Sequence, residues 1–201
     1  MKATDAPTVS EPAMRADARR NHDRVLTAAR TVFSEQGTEA SLRDVARRAG
    51  VGIGTLYRHF PTREALLEAL IGHGFDKLGA SARELLTADS PADALITWLH
   101  DFAVGSAIYR GLPASVMTGI RDEESELHRS CVAMRAAAGR LLARAQEAGA
   151  VRPDLAIEEL LTLGTAIAWA NEQVPGRAGL TDRLLSLTTQ GILHRPLTAD
   201  G

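Results

Sequence analysis

A chain of 201 residues, 45% apolar and 24% charged, has the make-up of a globular protein of one or two domains, long enough to bury a core. A formal charge of −2 does not by itself suggest a nucleic-acid binder, and a single cysteine, Cys131, excludes an intrachain disulfide and fits a reducing interior. The charge is unevenly spread, however: residues 15–63 hold ten arginines against five acidic residues, whereas residues 64–201 carry a net −6. Such asymmetry points to a polyanion met only by the first third of the chain.

Residues 1–17 read as a disordered leader of small, polar and proline residues, without the apolar run of a secretion signal. Beyond it apolar spacing is helical almost everywhere and no stretch alternates as a strand should, so the predicted fold is all-α. The first helix is expected over Arg19–Gln36, with Val25, Ala28, Ala29, Val32 and Phe33 as its apolar stripe and Gly37 as its stop. Ser41-Leu-Arg-Asp44 opens the second in the manner of a capping box, and Gly50 ends it. A third covers Ile53–Phe60, stopped by Pro61, and Thr62 caps a fourth that runs to about Leu78 before Gly79. Five further helices are predicted near 91–108, 113–119, 123–148, 155–174 and 181–194. The longest nearly apolar run, residues 160–170, is about half of what a bilayer requires, which predicts a soluble, cytoplasmic protein with no membrane partner.

Two helices joined by the glycine-containing turn Ala49-Gly50-Val51-Gly52 make a helix-turn-helix over residues 41–60. At 100° per residue, Leu56 and Phe60 face inward on the third helix, so Gly54 and Arg58 lie opposite, with Thr55 and Tyr57 on the flanks. Such a face suits the major groove. Glycine allows close approach of the backbone, and the arginine fork matches the acceptors of guanine. Tyr57, His59 and Thr55 can donate to phosphates, and Ser41, Arg43, Thr62 and Arg63 sit at helix N-termini suited to the same anions.

The run TLYRHF after the turn, followed by PTREALLEAL and preceded by AARTVFSEQGTEASLRDVARRAGV, resembles the DNA-binding domain of the TetR family of transcriptional repressors. The resemblance covers residues 18–78 and implies DNA contacts at Ser41, Arg43, Thr55, Tyr57, Arg58, His59 and Arg63. Gly52 departs from the serine that many members carry at the start of the recognition helix. The resemblance further implies that residues 79–201 form a helical ligand-binding and dimerisation domain, and that the protein binds palindromic operator DNA as a homodimer and is released by an effector.

Trp98, Phe102, Tyr109, Met117, Met134 and Trp169, with His100, Asp101, Arg121 and Asn171 for orientation, are candidate lining for a small, mainly apolar effector. The last two helices are apolar over faces too broad for one core, which nominates Leu160, Gly164, Ile167, Leu184 and Leu187 for a dimer interface. The six histidines show no metal-ligand spacing, the string GVGIG lacks a preceding strand, and no activated nucleophile is recognisable, so neither catalysis, metal nor cofactor is expected. A helical-domain enzyme, or an interaction module that turns its basic region to an acidic partner or membrane, remain the competing classes.

Overall fold

The computed structural model describes residues 11–106, 114–174 and 179–192. Among them the chain forms α1 (Glu11–Gln36), α2 (Leu42–Ala49), α3 (Ile53–His59), α4 (Arg63–Leu85), α5 (Pro91–Ser106), α6 (Ala114–Arg121), α7 (Glu126–Glu147), α8 (Ile157–Gln173) and α9 (Leu180–Ile192), with no strand. The fold is all-α, as the periodicity predicts. Two boundaries differ. Helix α1 takes in residues from Glu11 rather than from Arg19, so residues 11–17 of the expected disordered leader are helical. Helix α4 runs through Gly79 to Leu85, because that glycine is a packing point and not a stop. A methyl group at Gly79 would touch the backbone of Met134 on α7 at 3.5 Å, so the position suits a close crossing of the two helices.

The head is organised on one core. Val25, Ala29, Val32 and Phe33 of α1 meet Val45, Ala46 and Ala49 of α2, Leu56 of α3, Phe60, and Leu66, Leu67, Leu70 and Ile71 of α4. A second core joins Trp98, Leu99 and Phe102 of α5 to Met134, Leu141 and Leu142 of α7, Leu160 and Ile167 of α8, and Leu185 of α9. Helix α4 runs through both, and its Phe75 packs against each. The head's core also takes in Val116 of α6 and Leu127 of α7, so the two halves share apolar contacts besides the connecting helix.

Trp98 is fully buried, stacks on Phe102 with ring centroids 5.6 Å apart, and donates its indole N–H to the carbonyl of Leu78 at 2.9 Å. A buried indole finds such a partner because an unmade hydrogen bond there is costly. Across from this pair sits Gly164 on α8, where an added Cβ would lie 2.8 Å from Cδ1 of Phe102. Replacing Gly164 with alanine is therefore expected to cost about 1–3 kcal/mol through overpacking, offset by about 1 kcal/mol of helix propensity, with a lowered thermal midpoint as the net result. An unchanged midpoint would mean that the α5–α8 seam is looser than this.

Candidate nucleic-acid interface

The helix-turn-helix is set by local chemistry. Ser41 caps α2, its hydroxyl accepting from the N–H of Arg43 at 3.2 Å, while Asp44 receives the guanidinium of Arg47 at 2.8 Å instead of reaching back to the cap. Gly50 ends α2 in the left-handed region at φ 66°, and the N–H of Val51 closes the turn on the carbonyl of Ala46 at 3.0 Å. Arg24 of α1 donates to the carbonyl of Gly50 at 3.3 Å, and a Cβ on this glycine would come within 2.5 Å of that guanidinium. Gly52 then starts α3 with no side-chain cap, and Thr62 caps α4 by accepting from the N–H of Ala65 at 3.0 Å.

These turns hold α3 with Leu56 fully buried and Gly54, Tyr57 and Arg58 outward. Ser41, Arg43, Tyr57, Thr62 and Arg63, with Leu42, line one shallow concavity of about 450 Å³ between the N-termini of α2 and α4. Hydroxyls, two guanidiniums and two helix N-termini thus converge on one place, which is the chemistry a phosphate requires. Beside it Arg58 lies along its own helix, donating to the carbonyl of Gly54 at 3.3 Å and to the hydroxyl of the half-buried Thr55 at 2.9 Å. Arg58 remains exposed.

Two expected contacts have other work. Arg63 is half-buried and donates from one nitrogen to the carbonyls of Thr38 and Ala40, at 2.6 and 2.7 Å, tying the α1–α2 loop to the start of α4. His59 turns toward α1, where the rings of His22, His59 and Phe60 lie 5.0–6.2 Å apart, so packing accounts for it better than phosphate contact. Arg47 and Arg48, in the last turn of α2, are likewise engaged, on Asp44 at 2.8 Å and on Glu35 at 2.7 Å. Arg63→Ala is accordingly expected to lower the stability of the head by about 1–2 kcal/mol as well as to weaken every duplex alike. Arg58→Ala should leave stability unchanged and cost about 1–3 kcal/mol of preference at one base pair. Equal, sequence-independent losses in both variants, measured by titration of matched and scrambled duplexes, would contradict this division.

The expected effector residues do not assemble. Trp98, Phe102 and Met134 fill the core of the second half, Met117 and Arg121 are exposed on α6, and Trp169 is 62% exposed on α8. Asn171 is half-buried near the end of α8, and Tyr109 lies outside the described residues. The dimer candidates also need correction. Leu160, Gly164 and Ile167 point into their own protomer, because α5 packs over that stripe of α8, and Leu184 is half-buried. Leu187 alone among them is outward, at 50% exposure. What α8 presents outside is a nearly apolar groove of Leu161, Thr162, Thr165, Ala166 and Trp169. Among the described residues no helix is long and apolar enough to cross a membrane, and no cluster of three or more potential metal ligands occurs. Burial raises the pKa of the Cys131 thiol, which keeps it protonated at neutral pH.

Comparison with known proteins places both halves. Residues 25–70 match the family model for bacterial regulatory proteins of the tetR family, and residues 90–194 match that for the C-terminal domain of SbtR-like transcriptional regulators. The HTH-type transcriptional repressor Rv3405c of Mycobacterium tuberculosis is 36% identical over 92 residues, 44% of this chain and 47% of that protein. This chain thus spans about half the length of the mycobacterial relatives it matches. UidR of Escherichia coli, an HTH-type transcriptional regulator, is 28% identical over 150 residues, covering 71% of this chain and 74% of that one. Among solved structures, the TetR transcriptional regulator SCO0520 of Streptomyces coelicolor aligns with a TM-score of 0.71 at 34% identity, over 87% of this chain and 99% of that one. A TetR regulatory protein from Mycobacterium vanbaalenii aligns with a TM-score of 0.62 at 32% identity, over 90% and 99%.

Proposed function

Because this chain belongs to the TetR family of bacterial transcriptional regulators, we propose that it works as a homodimeric repressor whose hold on a palindromic operator is released by a small molecule. The observation that carries the reading is the polar concavity of Ser41, Arg43, Tyr57, Thr62 and Arg63 beside the outward Gly54 and Arg58. In this reading residues 18–78 form the DNA-binding head and 79–201 the body. Ser41, Arg43, Tyr57 and Arg63 hold the phosphates, Arg58 and the backbone at Gly54 meet base edges, and Thr55 steadies the arginine. Two such heads would enter successive major grooves roughly 34–36 Å apart.

Release requires that the effector bind better to an arrangement with the wrong spacing. Moving the balance from 1:99 to 99:1 takes about 10⁴-fold preference, on the order of 5.5 kcal/mol, so the body must grip the head firmly. The grip is built from α4 and α6. Val116 and Ile120 pack on the head's core, and a Cβ at Gly119 of α6 would lie 3.3 Å from the carboxylate of Glu68 on α4. A shift of α6 would therefore push α4 and, through Leu66, Leu67 and Leu70, the whole head.

The test is a genomic footprint of the purified protein followed by titration of the recovered sites. Recovery of a palindrome bound with a steep salt dependence supports the reading. Failure to bind double-stranded DNA at low ionic strength, or binding without preference between the recovered site and random duplex, defeats it.

A further inference from the structure

Helices α1, α4 and α5 line a partly open cavity of about 250 Å³, which Phe102 and Asp101 reach among the expected effector residues. Its walls are Phe75 and Leu78 of α4 and Phe102 and Val104 of α5, with Ser81 and Gly105 between them. Behind it lies the fixed Trp98, stacked on Phe102 and bonded to the carbonyl of Leu78, so this wall does not collapse easily. At its mouth stand Arg30 of α1 and Lys77 of α4, both exposed and neither in an ion pair among the described residues. Most other arginines of the head are committed, to Asp17, Asp44, Glu35, or backbone carbonyls. Asp101 is the one acid on the rim, and His100 stands 3.5 Å from it.

We propose that this cavity binds a small organic acid, its apolar body between Phe75, Leu78, Phe102 and Val104 and its carboxylate between Arg30 and Lys77. A neutral ligand would leave the two exposed cations to solvent and gain nothing from them. An inorganic anion would leave the apolar wall unfilled. A monocarboxylate with one ring or a short chain satisfies both, and the volume limits it to a molecule of that size. Asp101 on the same rim disfavours a second negative group, so a monocarboxylate is favoured over a dicarboxylate. The ligand would touch the head through Arg30 and the body through α5, so its occupancy couples to the angle between them. That last step rests on the regulator reading given above; the binding site itself does not.

The experiment is calorimetric titration of the full chain with 4-phenylbutyrate, with 4-phenylbutyramide, and with inorganic phosphate. The acid should bind at one site per protomer, and the amide about tenfold more weakly or worse, since a charge-assisted contact is lost. Arg30→Gln and Lys77→Gln should each reduce affinity for the acid by about tenfold and leave the weak amide binding as it was. Both side chains are exposed, so neither change threatens folding, and the acid–amide comparison needs no variant at all. Equal affinity for acid and amide, indifference to both substitutions, competition by phosphate alone, or no heat at millimolar acid would each overturn the proposal. Operator affinity measured in the same solutions separates the two readings. Acid that binds without changing operator affinity supports the site and removes its regulatory role. Intact operator binding with no acid binding overturns the site and leaves the regulator reading standing.

Discussion

Leucine in place of Gly54 is expected to leave the fold intact while operator affinity falls by about 10³-fold or more, to the level of unrelated duplex. The two halves of this result come from the same geometry. A Cβ built at Gly54 meets nothing within 4 Å, and the residue is exposed on the face of α3 opposite the fully buried Leu56. Glycine inside a helix is unfavourable by about 0.8–1.0 kcal/mol relative to alanine, so alanine or leucine there should raise the thermal midpoint. A residue that costs the free protein stability and has room for a side chain fits a face that a ligand approaches closely, in the proposed function the edges of base pairs. Gly54→Ala should separate the effects further: a similar gain in stability, with a smaller loss of affinity graded by the size of the added group. Thermal unfolding and anisotropy titration on one preparation measure both. A leucine variant that bound the operator like the wild type would show that α3 does not enter a groove.

What could be read in advance divides along the range of the interactions. The helix-turn-helix was legible because its determinants are near neighbours: Ser41 and Thr62 at caps, Gly50 in a left-handed turn, and Leu56 and Phe60 one turn apart. Gly79 was misread for a related reason. A glycine inside a run of helical spacing marks an end or a close contact, and only the position of Met134, 55 residues on, decides which. The structural tie that Arg63 makes is hidden in the sequence, because nothing within its own helix hints that the carbonyls of Thr38 and Ala40 lie under it. The cavity at Arg30 and Lys77 was invisible for the same cause, since it exists only where α1, α4 and α5 come together. In α8 the spacing showed an apolar face too broad for one core. It carried no information on which stripe meets α5 of the same chain and which is left for another.

That ambiguity, settled by the burial of Leu160 and Ile167 and the exposure of Trp169 and Leu187, moves the test of the dimer to different residues. Trp169→Glu combined with Leu187→Glu should yield a folded monomer whose affinity for the full palindrome is about 10²–10⁴-fold below that of the wild type. The size of the effect follows from geometry rather than from any lost DNA contact. When two heads are joined, the second binds at the effective concentration set by the first, and a monomer forfeits that gain while each half-site contact survives. A tryptophan carries some 150–250 Å² of surface, so burying a pair of them with the adjoining Leu161 and Ala166 supplies a strong apolar contribution that two carboxylates would reverse. Because both side chains are outward in the protomer, the substitutions touch neither core. Sedimentation should report the monomer, thermal unfolding a folded chain, and affinity for an isolated half-site should match that of the wild type. A double variant that stays dimeric would place the interface elsewhere. A true monomer that keeps full affinity for the palindrome would dissociate operator recognition from pairing of the heads, and with it the spacing argument on which release by an effector depends.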